Sequence, residues 1–367
     1  MNRTPLYDAH CAAGAKLVDF AGWEMPIQYG GVIDEYHTVR TKAGLFDVSH
    51  MGRLFVSGSG SSPFVQRVTT NDISKLAVGQ AQYSMVCNDR GGIKDDIFVY
   101  RTGEMEFLLC VNASNREKIL EWLRRHHRAE DRCQIDDRSG SVAQIALQGP
   151  ASRDILARVT ANEIMTLKLH HACEGKVADI PCFIARTGYT GEPGYELNVP
   201  SQQAAELWKR LLDAGQHQGI KPAGLGARDL LRLEMGYLLY GNDIDEHTTP
   251  LEAGVEWAVS FQKGEFLGSA ALLAQKQAGF QRRFIAFELL EKAVPRHGFK
   301  ILDPSSSQPI GDVTSGNLSP RLQKGIGLGY VPPSYATPGA SIAIDIRGKA
   351  LPAVVVKPPF YKRPKSV

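Results

Sequence analysis

The sequence predicts an α+β protein with antiparallel sheets, ending in an all-β domain. Through residue 258, strand-like runs alternate with amphipathic helical segments and with turns rich in Gly, Pro, Asn and Asp. Around residues 272–281 the chain becomes polar and helical, as expected of a linker. From Phe284 onward, short alternating strands are separated by Gly, Pro and Ser turns, which is typical of a small β-barrel or β-sandwich.

Size and composition narrow the class of protein. A length of 367 residues favours two or three domains, and 43% hydrophobic with 22% charged residues is ordinary for a globular protein with a sizeable core. The net charge of +3 is small and its charges are scattered, so we expect no nucleic-acid partner. No apolar run is long enough to span a membrane and residues 1–20 lack a signal-peptide core, so we expect no membrane partner. The expected location is cytoplasmic, or the mitochondrial matrix if the source is eukaryotic.

Cysteine and histidine spacing bears on metal chemistry. The six cysteines include no C-x-x-C pair, and the ten histidines include no H-E-x-x-H spacing. Several cysteines lie inside apolar runs, which favours buried thiols over a disulfide framework. We therefore expect no metal site.

Residues 82–100 form the stretch around which the first part of the chain is organised. Strand-like runs at 83–87 and 97–100 flank a turn that contains Asn88, Gly91 and Gly92. Asp95 and Asp96 follow the turn, where the second strand begins. Because side chains alternate along a strand, we expect the two carboxylates to lie on opposite faces, one of them directed into the fold. Aspartate is common in turns, so an ordinary turn role remains an alternative to a functional one.

The elements on either side of this hairpin fit an antiparallel sheet backed by helices. Residues 33–42 and 61–69 have helical character, and residues 53–57 and 107–111 have strand character. Ser114 and Glu117 have the spacing of a capping box, which predicts a helix over 116–127. Further strands are predicted near 142–147, 181–186 and 195–199.

Two helices are predicted before the linker. Ser201 is placed to cap a helix whose apolar positions, with spacing i, i+3, i+4, i+7 and i+8, end at Gly215. A second helix is predicted over 227–240. Its first turn carries Arg228, where a guanidinium beside helix N–H groups suits a carboxylate or another anion, although a structural ion pair with Asp229 is an alternative.

Other side chains suit a flat heterocyclic ligand. Glu196 is an acid in an otherwise apolar strand and can accept paired hydrogen bonds from an N–C–N edge; an exposed strand position is the alternative. Tyr83, Tyr189 and Tyr195 can line an aromatic slot or belong to the core.

Taken together, these motifs resemble the T-protein family of the glycine cleavage system. The matching segments occur in the family's order and spacing from residue 4 to the C-terminus, so the resemblance covers nearly the whole chain and is specific. They are Thr-Pro-Leu-Tyr at 4–7, Val-Asp-Phe-Ala-Gly-Trp-Glu-Met-Pro at 18–26, Gly-Leu-Phe-Asp-Val-Ser-His-Met at 44–51, Gly-Gly-Ile-Lys-Asp-Asp-Ile at 91–97, Leu-Gln-Gly-Pro at 147–150, Arg-Thr-Gly-Tyr-Thr-Gly at 186–191, Gly-Leu-Gly-Ala-Arg-Asp at 224–229, Leu-Tyr-Gly-Asn-Asp-Ile-Asp-Glu at 239–246 and Thr-Ser-Gly-Asn-Leu-Ser-Pro at 314–320.

The resemblance implies a three-domain, clover-leaf arrangement of this α+β protein. Residues 1–51 with 138–258 are expected to form a folate-binding α+β domain, and residues 52–137 a ferredoxin-like α+β domain. Residues 259–280 are expected to be a linker or helical segment. Residues 281–367 are expected to form a C-terminal all-β domain of the barrel or jelly-roll type.

The resemblance also implies an activity and a site. The family is expected to transfer the one-carbon unit of an aminomethylated, lipoylated H-protein to tetrahydrofolate, its co-substrate, releasing ammonia without a metal. Asp96 matches the family's catalytic acid beside the reacting folate nitrogens. Tyr83, Tyr189, Glu196 and Arg228 match folate-binding residues. Lys94 departs from the apolar residue expected before the acid pair, which can alter the local charge.

Two other functions remain open at this point. One is a folate-dependent demethylase relative, or the folate half of an amine oxidase, although the chain has no fingerprint for a flavin domain. The other is a non-catalytic folate-binding protein of the same fold. The presence of Asp96 together with Glu196 and Arg228 favours the enzyme.

Overall fold

The computed structural model describes residues 1–363, and its mixture of helices with antiparallel sheets confirms the α+β class. Contacts divide the chain into two compact units. The first comprises Met1–Val86 with Lys94–Arg228; the second comprises Cys87–Ile93 with the chain from Asp229 onward. The division into three domains stays a prediction. No helix among residues 1–363 is both long and apolar enough to cross a membrane.

The strands in this part of the chain are named in order. They are β1 (Lys16–Phe20), β2 (Trp23–Gln28), β3 (Gly44–Asp47), β4 (Gly52–Ser57), β5 (Ala81–Cys87), β6 (Ile93–Gly103), β7 (Glu106–Val111), β8 (Gln134–Asp137), β9 (Val142–Gln148), β10 (Ala172–Val177), β11 (Ile180–Ala185), β12 (Gly194–Pro200), β13 (Lys221–Pro222), β14 (Arg283–Leu289), β15 (Lys300–Leu302), β16 (Pro309–Ser319), β17 (Lys324–Val331), β18 (Ser341–Ile346) and β19 (Lys349–Val356).

The α-helices are also named in order. They are α1 (Tyr7–Ala12), α2 (Val32–Thr41), α3 (Ser61–Val68), α4 (Arg116–His126), α5 (Ser152–Leu156), α6 (Ala204–Gly215), α7 (Leu225–Met235) and α8 (Ser269–Ala278).

Two sheets of the first unit face each other. One has the strand order β5-β6-β7-β4-β8, and the other has the order β10-β11-β12-β9-β3-β13. A shared apolar cluster joins them, with Phe98, Tyr100 and Leu108 from the first sheet and Phe183 and Ala185 from the second. The opposite face of β9 packs against the amphipathic helix α6. The predicted hairpin at 82–100 therefore lies in a sheet that is covered on this face.

The hairpin turn before the two aspartates is the predicted Asn/Gly turn. The Asn88 side chain accepts hydrogen bonds from the backbone N–H groups of Arg90 and Gly92, both at 3.0 Å. Gly91 has φ of +80°, a conformation that glycine adopts at little cost. This turn belongs to the second unit, where the Ile93 N–H donates to the Thr248 carbonyl at 2.9 Å.

Two predicted helix caps are wrong, although α4 does begin at Arg116 as predicted. Helix α4 begins after Asn115 without a side-chain cap, because Ser114 lies in a 3-10 turn over Ala113–Asn115 instead of forming a capping box with Glu117. Helix α6 begins after Gln203, and Ser201 lies in a preceding 3-10 turn. The Ser201 hydroxyl donates to the Gly140 carbonyl at 3.0 Å instead of capping the helix.

The helix predicted over 227–240 is too long. Helix α7 spans Leu225–Met235 and ends where Gly236 adopts a φ of +68°. The Tyr237 N–H donates to the Arg232 carbonyl at 3.0 Å across this end. The prediction extended past Gly236 because Leu238 fits the apolar pattern. Leu238 is indeed buried, but it lies beyond the end of the helix.

The second unit contains the predicted all-β domain. Its strands form a closed barrel in the order β14-β17-β16-β15-β18-β19, and β14 also pairs with β19. Alternate side chains, including Phe287, Ile301 and Ile344, fill the interior. Strand β15 is short and β16 is rich in Gly, Ser and Asn, so the alternating pattern is weak in both.

Candidate active site

Asp95 and Asp96 lie within β6, which begins earlier than predicted, at Ile93. Alternation along the strand gives them different burial, as the sequence suggested. Asp95 is fully buried, whereas Asp96 is only partly buried.

One asparagine connects the two carboxylates. The Asn112 side-chain amide donates to Asp95 Oδ1 and to Asp96 Oδ1, both at 2.8 Å. Its backbone N–H donates to Asp95 Oδ2 at 2.9 Å. Asn115 adds a further donor to Asp95 Oδ1 at 2.6 Å. The two acids are therefore not independent, although they differ in burial.

Burial changes the proton affinity of Asp95. Removal from water, together with the nearby Asp96 carboxylate, raises the pKa of Asp95 to about 7. The hydrogen bonds from Asn112 and Asn115 act in the opposite direction and do not cancel this effect. A protonated Asp95 leaves the negative charge of the pair on Asp96.

Tyr83 on β5 fixes the second oxygen of Asp96. The Tyr83 hydroxyl donates to Asp96 Oδ2 at 3.0 Å. Desolvation and the Asp96 charge raise the pKa of Tyr83 well above its usual value, so this tyrosine remains a donor. Two predicted site residues are thus in direct contact.

An aromatic strip leads away from Asp96 along the same face of β6. The ring centroids of Tyr83 and Phe98 are 6.2 Å apart, and those of Phe98 and Tyr100 are 5.8 Å apart. Phe183 from the facing sheet meets Tyr100 edge-on, with 5.7 Å between centroids. The four residue steps along the strand from Asp96 to Tyr100 span about 13 Å. Tyr83, Phe98 and Tyr100 are called the aromatic strip; neighbouring rings are tilted by 56° and 41° to each other, and Tyr100 is buried at its far end.

Glu196 on β12 lies at the far end of the aromatic strip. Its Oε2 accepts hydrogen bonds from Thr187 Oγ1 at 2.5 Å and from Tyr100 Oη at 3.4 Å. Among residues 1–363 its Oε1 has no recorded hydrogen bond, and the residue is partly exposed. Burial and the Glu196 charge raise the pKa of Tyr100, which stays a donor. One oxygen is held by the protein while the other can accept from a ligand.

Arg228 and Tyr189 form a separate contact. Arg228 is the fourth residue of α7, and its Cζ lies 4.7 Å from the centroid of the Tyr189 ring. Contact with an aromatic face orients a guanidinium, a group whose planar fork matches the geometry of a carboxylate. Tyr195 has a different role from the other tyrosines, since it is 2% exposed in the core beneath the sheet.

Sequence reasoning missed Asn112, Thr187 and Tyr100. The pairing register of β6 and β7 places Asn112 beside the acid pair. Phe98 pairs with Cys110 and Val99 with Leu109, so the same hairpin register continues to Asp96 opposite Asn112. Tyr100 lacks a comparable signal, because it meets Glu196 only when the two sheets face each other. Thr187 lies in the connection from β11 to β12, in the same sheet as Glu196, and strand periodicity does not place a residue of that connection.

Two family models match most of the chain. The family model for the GCVT N-terminal domain matches residues 6–263, and the model for the glycine cleavage T-protein C-terminal barrel domain matches residues 282–362. The second match agrees with the closed barrel.

Similar proteins match along their entire length. An aminomethyltransferase of Halothermothrix orenii is 47% identical over 98% of this chain and 100% of its own. One of Desulfitobacterium hafniense is 44% identical over 99% of both chains. The crystal structure of glycine cleavage system aminomethyltransferase T from Bartonella henselae has a TM-score of 0.92 and 35% identity, covering 99% of this chain and 98% of that one. The chain therefore belongs to the glycine cleavage T-protein family of aminomethyltransferases.

Proposed function

We propose that this chain transfers the one-carbon unit of aminomethyl-dihydrolipoyl H-protein to tetrahydrofolate, giving 5,10-methylenetetrahydrofolate and free ammonia. The observation that carries the proposal is the aromatic strip with one carboxylate at each end. Asp96 is held at one end by Tyr83 and Asn112, and Glu196 is held at the other by Thr187. The family membership supports the same reaction.

The Glu196 end suits the amidine-like edge of a pterin. Such an edge presents neighbouring N–H donors, and a carboxylate can accept from both. Thr187 and Tyr100 fix the orientation of Glu196 by donating to Oε2. The partly exposed rings of Tyr83 and Phe98 can make stacking or edge contacts with a bicyclic heterocycle. These residues fit tetrahydrofolate, which supplies the nitrogen nucleophiles when it is bound.

The Asp96 end suits the reacting groups. Positive charge develops on the aminomethyl carbon of the H-protein arm as ammonia leaves, and a fixed carboxylate stabilises that charge. Tyr83 and Asn112 hold both oxygens of Asp96 in place, so little reorganisation is needed when charge appears. Asp96 can also accept a proton from the attacking nitrogen. The electrostatic and positioning role is the dominant one in this proposal.

Arg228 suits the anionic end of the co-substrate. A guanidinium can bind a carboxylate through two parallel hydrogen bonds, and stacking on Tyr189 limits its freedom. We assign Arg228 and Tyr189 to the folate site on this basis. The lipoylated H-protein is the proposed partner and one-carbon donor.

The test measures both products from aminomethylated H-protein. Ammonia release and methylenetetrahydrofolate formation are followed with and without tetrahydrofolate, for the wild type and for Asp96→Asn. The wild type should show fast folate-dependent transfer. Asp96→Asn should lower kcat by about 10²–10³-fold, the range typical for loss of one preorganised electrostatic group.

Asp136→Asn is the matched control. Asp136 is an exposed acid on β8 of the same sheet, paired with Arg138 at 2.7 Å. Its substitution should leave kcat within about twofold of the wild type. Unchanged turnover in Asp96→Asn with intact folate binding would contradict the role of Asp96. Folate binding by the wild type without transfer would indicate a binding protein or a demethylase relative instead.

A further inference from the structure

Helix α2 carries two buried charged side chains that the proposed reaction does not use. Glu35 is 1% exposed, and the side chain of Arg40 is 5% exposed. Charged groups are stable at such burial only when hydrogen bonds replace the water that they have lost. The partners of these two side chains therefore show which parts of the chain the helix holds in place.

Glu35 joins two segments that are far apart in the sequence. Its Oε1 accepts hydrogen bonds from the backbone N–H groups of residues 29, 30 and 31, at 2.6, 3.1 and 3.3 Å. Its Oε2 accepts from the Gly224 N–H at 2.8 Å. One carboxylate thus binds the segment that leads into α2 through one oxygen and the segment that leads into α7 through the other.

Gly224 is one hydrogen bond away from Arg228. The Arg228 N–H donates to the Gly224 carbonyl at 3.1 Å in the first turn of α7. A β-carbon at Gly224 would lie 2.5 Å from the backbone carbon and oxygen of Ile27, so the close approach requires glycine. Glu35 therefore fixes the residue from which the turn bearing Arg228 starts.

Arg40 holds the segment that carries Tyr189. Its Nη1 donates to the Thr190 carbonyl at 2.6 Å and to Glu192 Oε1 at 3.0 Å. Thr190 directly follows Tyr189, and its hydroxyl donates to Gln148 Oε1 on β9 at 2.9 Å. The Tyr189 segment is thus attached both to α2 and to the sheet.

The two segments held by α2 meet where Arg228 contacts Tyr189, with 4.7 Å between the guanidinium carbon and the ring centroid. All of these residues belong to the first compact unit. A guanidinium binds a carboxylate through two parallel hydrogen bonds only when its planar fork has the right orientation. A shift of Gly224 relative to the fixed Tyr189 segment would change that orientation.

We propose that Glu35 is a positioning residue for the carboxylate tail of the co-substrate, and that it acts through Gly224 on Arg228. This inference rests on the proposed function, in which Arg228 binds the anionic end of tetrahydrofolate. Glu35 then governs the affinity for folates that carry the tail, whereas Glu196 and Asp96 at the other parts of the site keep their own roles.

The first test substitutes Glu35→Gln in the full chain. An amide has a single acceptor oxygen, so the N–H groups on one side of the side chain lose their acceptor. Calorimetry measures the binding of tetrahydrofolate and of 6-methyltetrahydropterin, which has the pterin ring without the tail. Tetrahydrofolate should bind about tenfold more weakly, as expected when one oriented charged contact is impaired. Tetrahydropterin binding and kcat at saturating tetrahydrofolate should each stay within about twofold of the wild type.

A double-mutant cycle tests the route through Arg228. Because Glu35 acts through Arg228, adding Glu35→Gln to Arg228→Gln should weaken tetrahydrofolate binding by no more than about twofold further. Gly224→Ala displaces the same segment while Glu35 remains in place, so it provides a second variant should Glu35→Gln fold poorly. It should also weaken tetrahydrofolate binding and leave tetrahydropterin binding unchanged.

Asp34→Asn is the matched control, because Asp34 is the exposed acid next to Glu35 on α2 and pairs with Lys221 at 2.8 Å. It should change the tetrahydrofolate affinity less than about twofold. Full tetrahydrofolate affinity in Glu35→Gln, equal losses for tetrahydrofolate and tetrahydropterin, or additive losses with Arg228→Gln would overturn the positioning role. Each of these outcomes leaves the proposed function intact, whereas a wild type that neither bound tetrahydrofolate nor transferred the one-carbon unit would overturn both.

Discussion

The two ends of the aromatic strip hold their carboxylates in different ways. Glu196 is fixed on one oxygen by two hydroxyl groups, and its other oxygen remains available. Asp96 is fixed on both oxygens, by a phenol and by an amide that also binds a second carboxylate, Asp95. The Glu196 end is therefore arranged for recognition, whereas the Asp96 end is arranged to hold one negative charge in a defined place.

The largest expected effect is a pH dependence of the unfolding free energy that comes from Asp95. It tests whether a protonated Asp95 beside Asp96 distinguishes the Asp96 end from the Glu196 end. The pKa of Asp95 is raised from 3.8 to about 7, so between these values the folded chain keeps a proton that the unfolded chain has lost. The stabilisation associated with this proton is fully present below about pH 4 and disappears as the pH rises through 7. The size of this effect is on the order of 4 kcal/mol.

Urea unfolding of the wild type and Asp95→Asn from pH 4.5 to 7.5 measures this effect. The difference in unfolding free energy between the two proteins should change across the window, because the variant cannot ionise at this position. Asp136→Asn, which replaces an exposed acid of the same sheet, should follow the wild-type profile. Parallel profiles for the wild type and Asp95→Asn would mean that Asp95 is ionised throughout.

The second prediction separates recognition from chemistry. Glu196→Ala should weaken tetrahydrofolate binding by about tenfold to a hundredfold, because a charged acceptor is lost from the ligand. The turnover at saturating tetrahydrofolate should fall much less. Equilibrium binding by fluorescence or calorimetry, together with kcat at saturation, makes the comparison. Equal losses in both quantities would count against a purely binding role for Glu196.

The smallest expected effect concerns the two tyrosines at either end of the strip. Each hydroxyl donates one hydrogen bond to a carboxylate, at 3.0 Å for Tyr83 and 3.4 Å for Tyr100. Tyr83→Phe should reduce kcat by about fivefold, whereas Tyr100→Phe should weaken folate binding by a similar factor. Steady-state kinetics over a range of tetrahydrofolate concentrations distinguishes the two. If both variants changed the same parameter, the two ends would not have separate roles.

Sequence patterns predicted local structure better than helix boundaries. The Asn88 turn, the amphipathic face of α6 and the alternating barrel strands follow from short-range chemistry, and the structure contains them. The serine cap predicted for α4 is wrong because of a tertiary contact. Asn115 precedes α4, but its side chain donates to the buried Asp95, so the helix start serves the acid pair instead of an ordinary cap.

The site was predictable only in part. The sequence motifs supplied five candidate residues, and the structure shows contacts for each of them. Tyr83 contacts Asp96, Arg228 contacts Tyr189, and Glu196 accepts a hydrogen bond from Thr187. The contact of Tyr100 with Glu196 depends on the facing of two sheets, which no local pattern encodes. Thr187 reaches Glu196 within one sheet, from the irregular connection between β11 and β12, and strand periodicity does not set the path of that connection.

The hairpin turn at Cys87–Ile93 has a consequence for dissecting the gene. A fragment that ended at Arg228 would include every residue assigned to the folate site, yet it would lack the backbone of Thr248 and Glu246 that binds this turn. The strand bearing the acid pair starts at the end of the same turn. We therefore expect the isolated N-terminal portion to hold this turn less firmly, and fusion or split-protein designs should retain the downstream chain that binds it.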